Sequence, residues 1–225
     1  MEFSKDLLNN SVPSAEQLPD SMYVTFHRKE NAVRKVLFVG NSITLHGSKP
    51  SIGWTGNWGM AASAPEKDYV HLTVAGMEER LGPVSWCIAQ GAVWERGFND
   101  PSVLPEHFAN ARAFAADIAV IRIGENTDRA LLAAHDYRQA FADMVRYLAP
   151  SAKRVLVTDL FWASPAIDEP IMAAVQENGW TPVHIGDLGQ KPEMKALGLF
   201  EHSGVAAHPG DLGMRTIAER ILDAL

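Results

Sequence analysis

Apolar residues along this chain fall into two alternating patterns. Short, nearly unbroken apolar runs at residues 36–39, 84–89, 118–123, 154–158 and 182–185 have the length and β-branched character of buried strands. Between them lie longer segments with apolar residues at helical spacing, at 68–81, 135–148 and 167–178, and a final one at 212–225. In the first of these, Leu72, Ala75, Met77 and Leu81 share one broad face, and Gly82-Pro83 stops the helix. Pro150 and Gly179 close the next two, and Asp211 stands where an N-cap would open the last. Strands of about five residues alternating with helices predict a parallel sheet covered on both faces. The expected fold is therefore an α/β/α sandwich of three layers around five parallel strands. Residues 1–34 fit the alternation poorly. They are expected to form an N-terminal arm or an extra strand near residues 22–26, with the main domain over 35–225.

Ligands of such sheets bind beyond the carboxyl ends of the strands. Small polar residues gather at those points. Gly40-Asn41-Ser42-Ile43-Thr44 follows the first run, Gln90-Gly91-Ala92 the second and Gly124-Glu125-Asn126-Thr127 the third. A fourth group, His208-Pro209-Gly210-Asp211, precedes the final helix. These are parts for acyl transfer. A serine hydroxyl is a weak nucleophile until a neighbouring imidazole takes its proton. The tetrahedral intermediate needs fixed donors aimed at its oxyanion. Ser42 and His208 provide the first pair, and the backbone N–H groups of Ser42 and Gly91 with the Asn126 side-chain amide provide candidate donors.

In this order, Gly-Asn-Ser-Ile-Thr, then Gly, then Gly-x-Asn, then His-Pro, the chain resembles the SGNH/GDSL hydrolase superfamily over residues 36–225. The resemblance implies a flavodoxin-like three-layer fold with a five-stranded parallel sheet. It also implies hydrolysis of carboxylic esters without a cofactor, commonly acyl or acetyl esters of lipids and carbohydrates. It assigns Ser42 as nucleophile, His208 as base, and Ser42, Gly91 and Asn126 to the oxyanion hole. Thioesterase or lysophospholipase activity, and a non-catalytic binding module on the same fold, stay open as alternatives. The segment lacks the second glycine of a Gly-x-Ser-x-Gly elbow, which argues against the α/β-hydrolase fold.

Two positions depart from the family pattern. Val205 stands three residues before His208, where the family often has an aspartate. Either Glu201 or a backbone carbonyl is then expected to orient the imidazole, so Glu201 is a candidate third catalytic residue. Glu125 separates Gly124 from Asn126 and is expected to point away from the oxyanion. Arg122 is a candidate partner for it, although residues three apart on a strand face opposite sides.

The long segment 51–65 follows the nucleophile and holds Trp54 and Trp58. Loops of this length are often functional. Trp54, Trp58 and Trp94 are therefore candidate substrate-binding residues, with Trp162 near the same rim, and they point to sugar or aromatic esters. The equal alternative places Trp54 and Trp58 in the core beneath the loop.

Composition narrows the setting. The net charge is −7, with no basic footprint for a phosphate backbone, so nucleic acid is not expected as a partner. The single cysteine, Cys87, excludes an intrachain disulfide and reads as a core residue. No metal is expected, because the spacing of His202, His208 and Asp211 matches neither His-Glu-x-x-His nor a zinc finger. His46 and His71 are likewise read as surface or loop residues. No apolar run spans a bilayer and no signal-like stretch opens the sequence, so a small-molecule ester and a cytoplasmic setting are expected.

Overall fold

The computed structural model describes residues 20–225. The reading of the polar N-terminus over residues 1–19 lies outside them. Among the described residues the strands are β1 Val24–His27, β2 Arg34–Gly40, β3 Val84–Gln90, β4 Ile118–Arg122, β5 Arg154–Thr158 and β6 Thr181–Val183. The helices are α1 Tyr69–Leu81, α2 Ala92–Arg96, α3 Val103–Ala113, α4 Arg129–Ala134, α5 Tyr137–Leu148, α6 Pro165–Asn178, α7 Ser203–Ala206 and α8 Asp211–Asp223. None of them is long and apolar enough to cross a membrane.

One sheet runs in the order β1-β3-β2-β4-β5-β6. The five strands from β2 onward are parallel, as the alternation predicts. β1 adds a sixth, antiparallel strand on the β3 edge, with Val24 opposite Ala89 and Phe26 opposite Cys87. This is the extra strand expected near residues 22–26, and it is part of the main sheet. Its alternation explains the docking: Val24 and Phe26 are buried on one face, while Thr25 and His27 are half-buried on the other.

Strand alternation also splits the core in two. Leu37, Val39, Ala119, Ile121 and Val157 face a layer built from α2, α3, α5 and α6, which includes Phe108, Phe141 and Ile171. Val36, Phe38, Val120 and Leu156 face α1 and α8 through Tyr69, Val74, Met77, Ile217 and Ile221. Cys87 is fully buried in the first layer, where burial pushes its thiol well above the ordinary range. The strand order reverses at β2, whose neighbours are β3 and β4. Such a switch point opens a crevice at the carboxyl ends of the strands.

Candidate active site

β2 ends at Gly40, and the chain turns at once. Thr44 and Leu45 both donate to the Asn41 carbonyl, at 2.9 Å each. A Cβ on Gly40 would stand 1.8 Å from Thr44 Oγ1, so only glycine allows a turn this tight. The turn leaves Ser42 half-buried at the sheet edge, its carbonyl accepting from Met60 N at 2.9 Å.

His208 arrives from the other end of the chain. Its Nε2 lies 2.8 Å from Ser42 Oγ, and its Nδ1 lies 2.6 Å from the Gly204 carbonyl. A carbonyl only accepts, so Nδ1 carries the proton and Nε2 of the neutral ring faces the serine hydroxyl as an acceptor. The acceptor is a product of α7. A short helix leaves its last carbonyls without partners of their own, and the side chain four residues on reaches back to one of them.

Glu201, the expected carboxylate partner, is not there. It is exposed and makes no hydrogen bond or ion pair among the described residues. Val205, which stands at the family's aspartate position, packs against Trp54, Met60 and Ala196. An ionised group in that apolar cluster would be costly, which accounts for the use of backbone instead. Asp211, expected as the cap of the last helix, is instead its first residue, with Gly210 at the N-cap position and no side-chain cap bond. It accepts from Ser63 N at 2.8 Å, Ser63 Oγ at 2.8 Å and Lys67 Nζ at 3.0 Å, tying the segment after the nucleophile to α8.

The donors divide. Ser42 N–H has no hydrogen-bond partner among the described residues. Gly91 N–H, expected beside it, donates instead to the Gly40 carbonyl at 2.6 Å, extending the β2–β3 ladder by one rung. A side chain there would meet Ile123 Cδ1 at 2.3 Å, so this glycine serves close packing. Ala92 N–H is occupied by Gln90 Oε1 at 3.0 Å. Asn126 lines the same cleft as Ser42 and His208, and its Nδ2 donates one hydrogen to Glu95 Oε2 at 2.7 Å. An amide nitrogen carries two hydrogens, so one remains.

Beneath these groups lies a buried polar network, in which the Arg122–Glu125 pair was expected from the sequence and the part of Glu95 and Asn41 was not. Glu95, on α2, is fully buried and also accepts from Asn41 Nδ2 at 2.9 Å, Gly124 N at 2.7 Å and Asn126 N at 3.1 Å. Burial and then the neighbouring Glu125 push its pKa up, while the bonds from Asn126 and Asn41 oppose them. Glu125 does point away from the cleft. Its carboxylate pairs with both Arg122 terminal nitrogens, at 2.6 and 2.8 Å, and accepts from Asn41 Nδ2 at 2.7 Å. Arg122 also donates to Asn41 Oδ1. The pairing is open to residues three apart because β4 ends at Arg122 and Gly124 turns the chain at φ +143°. An arginine inside an otherwise apolar run was the available signal, since a buried charge needs partners.

Trp94 is displaced from its expected place at the rim, whereas Trp54 takes the alternative one, in the core beneath the loop. Trp54 is 2% exposed, donates to the His46 carbonyl at 3.0 Å and packs on Val205. Trp94 is also 2% exposed, among Phe98, Tyr137 and Phe141. Trp58 is half-buried, donates to the Ala62 carbonyl at 2.8 Å, and faces a side cavity of about 380 Å³ rather than the main cleft. Each buries an aromatic face worth about 2 kcal/mol or more in the core, which outweighs leaving it open for a ligand. Trp162 sets its ring edge-to-face on His208, with centroids 5.0 Å apart. His46 lines the cleft, and His71 bonds Asp68 at 2.9 Å on α1.

Comparison with solved structures places the fold. LAE5, an alpha/beta hydrolase enzyme from the metagenome of Lake Arreo, Spain, superposes with a TM-score of 0.57 at 18% identity, covering 86% of this chain and 95% of its own. A point mutant of Axe2, an acetyl-xylooligosaccharide esterase from Geobacillus Stearmophilus, gives 0.54 at 18% identity, covering 86% and 94%. A protein from Desulfitobacterium hafniense assigned to the G-D-S-L family of lipolytic proteins gives 0.50 at 14% identity, covering 85% and 99%. The chain has the SGNH/GDSL hydrolase fold. No family model and no curated protein matches it by sequence.

Proposed function

We propose that this chain is a serine hydrolase that cleaves short-chain carboxylic esters through an acyl-enzyme. The observation that carries the reading is the 2.8 Å contact between Ser42 Oγ and an imidazole nitrogen whose other nitrogen is held by a carbonyl. In the first step His208 Nε2 takes the Ser42 proton as Oγ bonds to the ester carbon. The oxyanion is held by Ser42 N–H and the second Asn126 amide hydrogen. Collapse breaks the bond to the alcohol, which leaves with the proton from His208. Water, deprotonated by the same nitrogen, then releases the acid. The acetyl-ester activity in the description of Axe2 supports a short acyl group. The sugar preference inferred from Trp54, Trp58 and Trp94 loses its basis, because Trp54 and Trp94 are buried and Trp58 faces elsewhere.

A fluorophosphonate probe tests the reading directly. It should label Ser42, read by peptide mass, and hydrolysis of 4-nitrophenyl acetate should fall in step with labelling. Absence of labelling at neutral pH would refute an activated serine.

The pH profile is a second check. Burial lowers the His208 pKa to about 4, and the Gly204 carbonyl bond offsets this only in part. The base works when neutral, so a lowered value extends activity to lower pH. kcat/KM should stay level through the neutral range and fall as pH drops through about 4. An acid limb at about 6.5, the ordinary imidazole value, would show that the ring is solvated or paired with a carboxylate.

Glu201→Gln should change kcat/KM by less than about threefold, because the imidazole is oriented by backbone. Removing a carboxylate that does orient the base costs about 10⁴-fold in a well-studied serine protease. A loss of that order here would mean that Glu201 reaches Nδ1 during turnover.

A further inference from the structure

Ser42, Asn126 and His208 open onto a cleft of about 700 Å³. Its charge differs from that of the chain as a whole. The chain carries 27 Asp and Glu residues, yet among the described residues none lines this cleft. Arg96 does, and among the described residues it is the only arginine or lysine there. It is exposed at the C-terminal end of α2 and forms no hydrogen bond or ion pair among the described residues. Arg122, Arg138, Arg146 and Arg220 are matched with carboxylates, and none of these four lines the cleft. Apolar side chains such as Leu45, Met60 and Val93 complete the walls, and low-dielectric walls concentrate the field of a single charge.

We propose that the ester substrate carries a carboxylate, and that Arg96 binds it. This rests on the hydrolase reading above and adds a substrate class to it. A guanidinium fork matches a carboxylate with two parallel hydrogen bonds. One cation balances one negative charge, which suits a carboxylate rather than a phosphate dianion. The position of Arg96 gives it a further use. α2 begins directly after Gly91 and carries Glu95, which bonds Asn126, next to Arg96. An anion held by Arg96 therefore bears on the same helix that orients the Asn126 amide.

The test uses two matched ester pairs, so that the acyl and alcohol sides are separated. Mono(4-nitrophenyl) glutarate and 4-nitrophenyl butyrate differ by a carboxylate on the acyl side. 4-Acetoxybenzoate and its methyl ester differ on the alcohol side. The readout is the ratio of kcat/KM for the anionic over the neutral member, in which intrinsic reactivity cancels between proteins. Arg96→Gln should lower that ratio at least about fivefold for one pair, and the affected pair identifies the side. Lys153→Gln removes the same charge from an exposed site outside the cleft, and its ratios should stay within about twofold of wild type. A smaller fall with Arg96→Gln in both pairs, or an equal fall with Lys153→Gln, overturns the assignment. Failure of the hydrolase reading is visible separately, as absence of Ser42 labelling. In that case calorimetry of 4-hydroxybenzoate against its methyl ester decides. Arg96→Gln must weaken the acid at least about fivefold more than the ester, or the anion site falls as well.

Discussion

Ser42→Ala is expected to lower ester turnover on the order of 10⁴-fold or more while leaving the fold intact, since nucleophile and base act as a unit. The Ser42 hydroxyl has one partner, His208 Nε2. The backbone contacts that set the turn, including Met60 N to the Ser42 carbonyl, do not involve the side chain. Losing one partly buried hydrogen bond costs about 1 kcal/mol of stability, which a melting curve would register as a small shift. The kinetic loss is far larger because no covalent intermediate can form. The double substitution Ser42→Ala with His208→Ala should be no slower than either single one, within about threefold, as expected for groups acting in one step. Turnover of the pure single variant within about tenfold of wild type would show that another group carries the chemistry.

Asn126→Ala should lower kcat by about 10²–10³-fold with little change in KM, because an oxyanion donor acts mainly in the transition state. The expectation is strong here because one of the three anticipated donors is spent: Gly91 N–H is held by the Gly40 carbonyl. Two donors then share a task often given to three. Glu95 adds a second arm to the test. It fixes Asn126 through both the side-chain and backbone nitrogens. Glu95→Gln keeps shape and volume but presents an amide to donors that need an acceptor. It should lower kcat on the order of tenfold to a hundredfold through misplacement of Asn126, again with KM little changed. In the Asn126→Ala background the same substitution should cost much less, since the group it positions is gone. Equal losses in both backgrounds would assign Glu95 to folding rather than to positioning, and a matching drop in melting temperature would show it. Glu95→Ala is the poorer choice, because stranding four buried N–H groups costs about 1–3 kcal/mol each.

Local pattern alone determined much of this protein. Unbroken β-branched runs between helical stretches define the five parallel strands and their covering layers. The small polar residues at strand ends placed Ser42 and Asn126 at the site, since chain topology dictates where strands end. His208 followed from its residue type and its order in the chain. The sequence did not disclose what depends on contacts between distant segments. Trp94 looks like a binding surface in isolation, and Trp54 reads equally as one or as core. Their burial was decided when the loop folded onto Val205 and α2 packed against Tyr137 and Phe141. A backbone carbonyl was one of the two expected partners of His208, but its choice over Glu201 and its place at Gly204 had no residue identity to read. The fate of Gly91 N–H likewise depended on how closely β2 and β3 approach. The Arg122–Glu125 pair was open to reading, but Glu95 and Asn41 joined it because a charge buried by the packing of a sheet must find its partners within that packing, wherever the chain happens to place them.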